Sequence, residues 1–304
     1  VDITNRFTRY PEGTIFNRSL RENLYYTFVA VQNRLALFIR GESGTSKTLA
    51  LLILEQNLSL TVRNEDPYLQ QIPGFAPIYI QGSKTLTSRE VEEVFEQAQK
   101  GEDFVVIFDE MSLASQSPDQ PLKLLHRYLE LEEGRFPFIG ISNEPLDASK
   151  MNRLVRLRQE FPTRSELTET CLKICLSAET QNGEELSAYV TELVEICHER
   201  ITRKECYLRD MYFAMNFLKG KRSAFLTTRD QDDLSDSDDE TEMRESQIDY
   251  SRLFFHCIQR NFGEQSQSIY HSMARNHPNW SDREHDLGVL DALKQNLTEG
   301  QASR

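Results

Sequence analysis

Gly41-Glu42-Ser43-Gly44-Thr45-Ser46-Lys47-Thr48 constrains this chain more than any other stretch. An apolar run, Leu35-Ala36-Leu37-Phe38-Ile39, leads straight into it, and a helical pattern, Leu49-Ala50-Leu51-Leu52-Ile53-Leu54, comes directly after. Strand, glycine-bearing loop and helix in that order form the context in which such a loop cradles phosphate. Glycines let backbone N–H groups turn inward, and the helix N-terminus adds unsatisfied donors and a positive dipole end. On this reading Gly41, Glu42, Ser43, Gly44, Thr45 and Ser46 form the cradle. Lys47 reaches the β- and γ-phosphates as a point charge, and the Thr48 hydroxyl sits on Mg²⁺. One departure is visible: Ser46 stands where the general pattern has Gly, and a β-carbon there is expected either to crowd the loop or to weaken nucleotide binding. Taken alone, the stretch also reads as a Gly/Ser turn capping a helix.

The next hundred residues favour the phosphate reading. Ala76-Pro77-Ile78-Tyr79-Ile80 is a strand candidate. Thr87-Ser88-Arg89-Glu90 is a capping-box pattern, and Val91, Val94, Phe95 and Ala98 then fall on one helix face. Phe104-Val105-Val106-Ile107-Phe108 is a run apolar on both faces, as in a parallel sheet, and it ends on Asp109-Glu110. A helix is expected around Leu122–Leu131. A further strand, Phe136-Pro137-Phe138-Ile139-Gly140-Ile141, ends on Ser142-Asn143. Polar residues at strand C-termini are where open α/β sheets place their sites. Asp109 is read as a Mg²⁺ ligand, direct or through water. Glu110 is read as the general base on an attacking water, a role that supplies about 10²–10⁴-fold. Asn143 orients that water or reads the γ-phosphate.

Two arginines complete the set. Arg153 lies just past the last strand, where ring ATPases place an arginine that enters a neighbour's site and stabilises transition-state charge. Arg156 and Arg158 compete for that role. Arg209, in Leu208-Arg209-Asp210, would touch the γ-phosphate from a lid, or else forms a surface ion pair with Asp210 or Glu205. Ahead of the loop, Ser19–Val29 reads as a helix that either wraps a base or simply packs.

Beyond residue 163 the texture changes. Ser165–Ala178, Glu184–Arg200, Tyr207–Leu218 and Tyr250–Arg260 read as helices. The expected division is a nucleotide-binding core over 1–162, a helical lid over 163–280 and a mostly polar tail over 281–304. Residues 227–247, rich in Asp, Glu and Ser, read as a disordered acidic insertion. Ser235 and Ser237 within it suit an acid-directed kinase.

With 35 Lys and Arg against 48 Asp and Glu, the 304 residues carry a net charge of −13. That balance disfavours sequence-independent nucleic-acid binding. The five cysteines show no CxxC pattern and no zinc constellation, which fits a reducing compartment. No apolar run approaches the roughly 20 residues that span a membrane. The start on Val1 and the abrupt ends suggest an excerpt of a longer chain.

The residues resemble a known family. The loop Gly41–Thr48, Asp109-Glu110, Ser117-Pro118-x-x-Pro121-Leu122-Lys123-x-Leu125-His126, Gly140-Ile141-Ser142-Asn143, Leu146-Asp147-x-x-Lys150-Met151-Asn152-Arg153, Leu208-Arg209-Asp210 and Arg260-Asn261-Phe262-Gly263 are similar to AAA+ ATPase units. More specifically, they look like the units of the mysterin-type giant RING-finger E3 ubiquitin ligases, which carry a dynein-like row of them. The resemblance spans about residues 20 to 263, and a Ser before the loop Lys belongs to the pattern of one of the later units. It implies a P-loop NTPase (AAA+) α/β core with an all-helical lid. Lys47, Thr48, Asp109, Glu110 and Asn143 would be the Walker and first sensor residues, Arg153 the finger and Arg209 the second sensor. It also implies Mg-ATP turnover with adjacent AAA+ units in cis or trans, coupled to the ubiquitin machinery in the cytosol or at lipid droplets. No RING-type Cys/His set exists in these residues, so ligase chemistry would lie outside them. Two other readings stand beside an active motor unit. One is a structural module that holds ATP without turnover; the other is a stand-alone oligomeric remodelling ATPase.

Overall fold

The computed structural model describes residues 6–59, 62, 67–130, 135–176, 183–221, 226–227, 247–277 and 280. They fall into two compact units, 1–166 and 167–304.

In the first unit a helix α1 (Arg18–Gln32) precedes β1 (Ala36–Arg40), α2 (Lys47–Leu58), β2 (Ala76–Gln81), α3 (Ser88–Ala98) and β3 (Phe104–Asp109). Then come α4 (Met111–Ala114), α5 (Leu124–Tyr128), β4 (Phe138–Ser142), α6 (Ala148–Met151) and β5 (Val155–Arg158). The five strands form one parallel sheet in the order β2-β3-β4-β1-β5.

Side chains alternate across a strand, so a run apolar at every position feeds two cores. Leu37, Ile39, Val105, Ile107, Ile139 and Ile141 join Leu20, Leu24, Phe28, Ile53 and Leu54 of α1 and α2. Phe38, Val106, Phe108 and Phe138 join Val91, Phe95, Leu125 and Tyr128 of α3 and α5. Each fully buried Phe or Ile contributes about 1.5–3 kcal/mol. Phe95 anchors the second layer, with its ring centroid 5.1 Å from Tyr128 and 5.4 Å from Phe136. Local chemistry starts the helices. Asn17 caps α1 through Leu20 N, and Thr87 and Glu90 form the expected capping box on α3.

The expected elements are present with shifted ends. The helix expected around Leu122–Leu131 opens as a 3-10 turn, Pro121–Lys123, before the short α5, and Leu131 lies outside the described residues. Pro starts a turn well because its φ is preset and it has no N–H to lose. The strand β4 begins only at Phe138, after Pro137. The strand β5 had no counterpart among the sequence expectations.

The second unit is helical, with α7 (Arg164–Leu176), in which the division between units falls, α8 (Gly183–Thr202), α9 (Leu208–Lys221), α10 (Tyr250–Asn261) and α11 (Ser266–Ala274). The strands β6 (Leu226–Thr227) and β7 (Gln247–Ile248) form a two-residue antiparallel ladder. Apart from its paired ends, Thr227 and Gln247, the acidic insertion read over 227–247 lies outside the described residues, as does the tail from 281. The core of this unit holds Leu186, Val190, Val194, Met211, Met215, Leu253, Phe254 and Ile269. All five cysteines are buried thiols outside any disulfide. Burial raises the thiol pKa values of Cys171, Cys197, Cys206 and Cys257, to about 11 for Cys206, so none of these four is an activated nucleophile.

Candidate active site

Parallel pairing brings the polar strand ends to one edge of the first unit. Arg40 pairs with Ser142 across β1 and β4, and Gln81 pairs with Asp109 across β2 and β3. The loop 41–46, Asp109-Glu110 and Asn143 therefore leave neighbouring strands at the same edge.

The loop folds tightly between β1 and α2. Gly41 N donates to the Ser142 carbonyl at 3.2 Å, tying the loop to β4. A β-carbon on Gly41 would come within 2.7 Å of Gln159 Cβ and 2.8 Å of Thr45 Oγ1, so only glycine fits at the loop's entrance. Ser46 has φ 59° and ψ 20° and stands immediately before the first residue of α2. The usual preference for Gly at this place thus has a backbone cause, because L-residues are disfavoured in the left-handed region. Ser46 therefore carries conformational strain that glycine would not.

Lys47 is almost fully buried at 7 % exposure. Its ammonium donates to the carbonyls of Gly41 at 2.6 Å and Glu42 at 2.8 Å, and to Asn143 Oδ1 at 3.1 Å. The loop lysine and the tip of β4 are joined directly. Thr48 is exposed at the start of α2.

Asp109 ends β3, and its Oδ1 accepts from Glu110 N at 2.8 Å. Glu110 occupies the left-handed region, with φ 48° and ψ 43°, and directs the chain into α4. Its conformation is locked from β2, because Gly82 N donates to the Asp109 carbonyl at 2.8 Å. A β-carbon on Gly82 would lie 2.1 Å from the Glu110 carbonyl oxygen. Asp109 and Glu110 are both half-buried.

Arg153 sits between α6 and β5. Its Nε donates to the Glu130 carboxylate and its Nη1 to the Ser149 carbonyl at 2.8 Å. Its competitors Arg156 and Arg158 are exposed on β5. Arg209 belongs to the second unit, exposed in the first turn of α9.

Sequence reasoning missed three residues. Asn23, fully buried on α1, donates through Nδ2 to the Thr45 carbonyl at 2.8 Å. Of the alternatives for α1, the packing one describes its buried face; Asn23 adds a direct grip on the loop. Gln159 lies beside Gly41 from the end of β5, buried to 5 % exposure, and its backbone N–H donates to the Arg40 carbonyl at 2.7 Å. Gly82 is the third. The available signal was a polar residue in an apolar helical stripe, Leu20, Asn23, Leu24, Thr27, Phe28.

Residues 13–166 match the RNF213 AAA domain family. The chain is 33% identical over 177 residues to the E3 ubiquitin-protein ligase RNF213 of Homo sapiens, covering 53% of this chain and 3% of that protein. To the protein of the same name from Mus musculus it is 30% identical over 231 residues, covering 68% of this chain and 4% of that one. The chain thus spans only 3% to 4% of the length of these relatives. Among solved structures, a point mutant of Thermotoga maritima RuvB is similar at 17% identity and TM-score 0.44, over 67% of this chain and 65% of that one. C. elegans PCH-2 is similar at 16% identity and TM-score 0.42, over 61% and 60%.

Proposed function

The chain belongs to the RNF213 AAA domain family, a nucleotide-binding AAA+ module, and from that premise we propose that it binds Mg-ATP and hydrolyses it. The observation that carries this reading is the buried Lys47 ammonium, held on the Gly41 and Glu42 carbonyls and on Asn143. A buried cation ringed by oxygen acceptors at a helix start is suited to exchange some of them for phosphate oxygens.

The donor set fits a magnesium nucleotide. Glycine at Gly41 leaves room that a side chain would fill, and the loop carries the lysine. Among the described residues no group of three His, Cys, Asp or Glu side chains is placed to hold a metal ion unaided. That suits Mg²⁺, which binds through one or two protein oxygens, waters and substrate phosphates. Thr48 and Asp109 would hold the ion, whose chemistry is to neutralise charge on phosphate oxygens. Lys47 binds the phosphates, Glu110 accepts the proton of the attacking water, and Asn143 orients that water while fixing Lys47. Arg153 would serve a neighbouring unit's site, and Arg209 would act from the lid.

The relatives' names support a setting inside a longer E3 ubiquitin-protein ligase. In that setting the core 1–162 and lid 163–280 form one unit of a row, ubiquitin transfer lies outside these residues, and the protein works in the cytosol or at lipid droplets. Among the described residues no helix is long and apolar enough to cross a membrane.

The test is ATP binding and steady-state turnover, with wild type set against Glu110→Gln. The proposal expects binding retained and turnover reduced by about 10²-fold or more. Tight binding with unchanged turnover would identify a structural nucleotide holder instead.

A further inference from the structure

Two of the segments that carry the family resemblance contribute residues that the ATP site does not use. These are Ser117–His126 and Leu146–Arg153. In the fold they meet. Gln120, Lys123 and His126 from the first, and Asp147, Ser149 and Lys150 from the second, line one open cleft of about 370 Å³ in the first unit.

The cleft's chemistry is that of an anion site. Lys123 and His126 lie three residues apart in the first segment, and neither side chain has a salt bridge or hydrogen bond among the described residues. From the second segment, the Lys150 side chain is only 16% exposed, and its ammonium donates to Asp147 Oδ2 at 2.8 Å. Asp147 is itself 71% exposed. The lining thus holds one carboxylate and three basic groups, and Lys150 keeps further N–H donors beyond that bond. Gln120 and Ser149 add neutral donors. Donors contributed by two separate segments match a tetrahedral oxyanion better than a planar carboxylate, which favours the bidentate fork of Arg.

The cleft is close in sequence to the candidate catalytic residues. Its lining residues Ala114 and Ser115 end the short helix α4 that starts after Glu110, and Asp147 comes after the turn beyond Asn143. Ser149 also accepts from Arg153 through its carbonyl.

We propose that this cleft is a second phosphate-binding site, for inorganic phosphate or the phosphate of a monoester, held by Lys123, His126 and Lys150. It is separate from the loop that contains Lys47, and it does not depend on the ATPase reading.

The experiment tracks the His126 side-chain NMR signals of the whole chain carrying Lys47→Ala, which removes the loop lysine from competition. Inorganic phosphate, phenyl phosphate and acetate are titrated separately. Saturable shifts of His126 with phosphate or phenyl phosphate, at least about tenfold tighter than with acetate, are expected. Response to inorganic phosphate alone identifies free phosphate as the ligand, whereas tighter binding of phenyl phosphate identifies a monoester. Lys123→Gln and Lys150→Met should each weaken binding at least about tenfold, the loss of one charge-assisted hydrogen bond. Lys123 is exposed, so its substitution leaves packing intact even where Lys150→Met disturbs the fold. No saturable shift, equal affinity for acetate, or unchanged affinity in Lys123→Gln would overturn the proposal.

Discussion

Asn23 of the first helix donates its side-chain N–H to the backbone carbonyl of Thr45 at 2.8 Å, and both residues are buried. A residue far ahead of the loop 41–46 thus fixes the loop's path. The bond satisfies a carbonyl that faces protein rather than water, and leaving such a group unpaired costs about 1–3 kcal/mol. Asn23→Leu keeps the size and removes the donor. It is expected to weaken ATP binding about tenfold while leaving the far-UV circular dichroism unchanged. Equal affinity in the variant, measured by calorimetry, would show that the loop holds its shape without this grip.

Ser46 sits at φ 59° before Lys47. A left-handed conformation costs an L-residue roughly 1–2 kcal/mol, and the extra freedom of glycine in the unfolded chain returns about 0.5–1 kcal/mol of that. Ser46→Gly is therefore expected to stabilise the first unit by about 0.5–1 kcal/mol, read as a Tm rise of a few degrees. A lower Tm would mean that the Ser46 side chain holds the loop through a contact worth more than the strain.

The parts legible in the sequence were those whose cause is local. The run Phe104–Phe108 announced a strand buried on both faces, and its residues do divide between the two cores. Thr87 and Glu90 announced the start of α3. The strand β5 was not legible because its stabilisation lies in backbone pairing with β1. Of Val155, Arg156, Leu157 and Arg158, only Leu157 is better than exposed, so no apolar run marks it. Asn23 was not legible as a loop contact, because a buried polar side chain is explained only by a partner distant in sequence. Gly82 was invisible for the same reason: its need for no side chain comes from a neighbouring strand.

The capping box of α3 gives a pH signature. The Glu90 carboxylate accepts from the Thr87 hydroxyl at 2.7 Å and from Thr87 N at 2.8 Å. The hydroxyl first, and then the backbone N–H, hold its pKa below the ordinary glutamate value. A depressed folded-state pKa contributes stability that is fully present above the unfolded value, about 4.3, and is lost as pH falls through the folded value. The Tm advantage of wild type over Glu90→Gln is expected to hold at pH 7 and to vanish in strong acid. An advantage that persists in strong acid would rule out this linkage.

Gly82 tests whether the acid pair depends on its backbone support. The Glu110 carbonyl oxygen lies 2.1 Å from where a Gly82 β-carbon would be, and the carbonyl oxygen of Asp109 lies 2.9 Å away. These are backbone atoms, which cannot swing aside as a side chain would. Gly82→Ala must push β2 from the end of β3 or rotate the Glu110–Met111 peptide, and Gly82 N already donates to the Asp109 carbonyl at 2.8 Å. Overpacking of this kind costs about 1–3 kcal/mol. With Glu110 as the proposed base, turnover should fall further than stability, because a shift of about 1 Å in a catalytic group lowers rate by about 10²-fold. ATP affinity should change less, since Lys47 and the loop hang from β1 and β4 rather than β2. Melting curves, ATP titration and turnover on the same variant separate these effects. Equal proportional losses of binding and turnover would place Gly82 in general folding, whereas selective loss of turnover assigns it to holding Glu110.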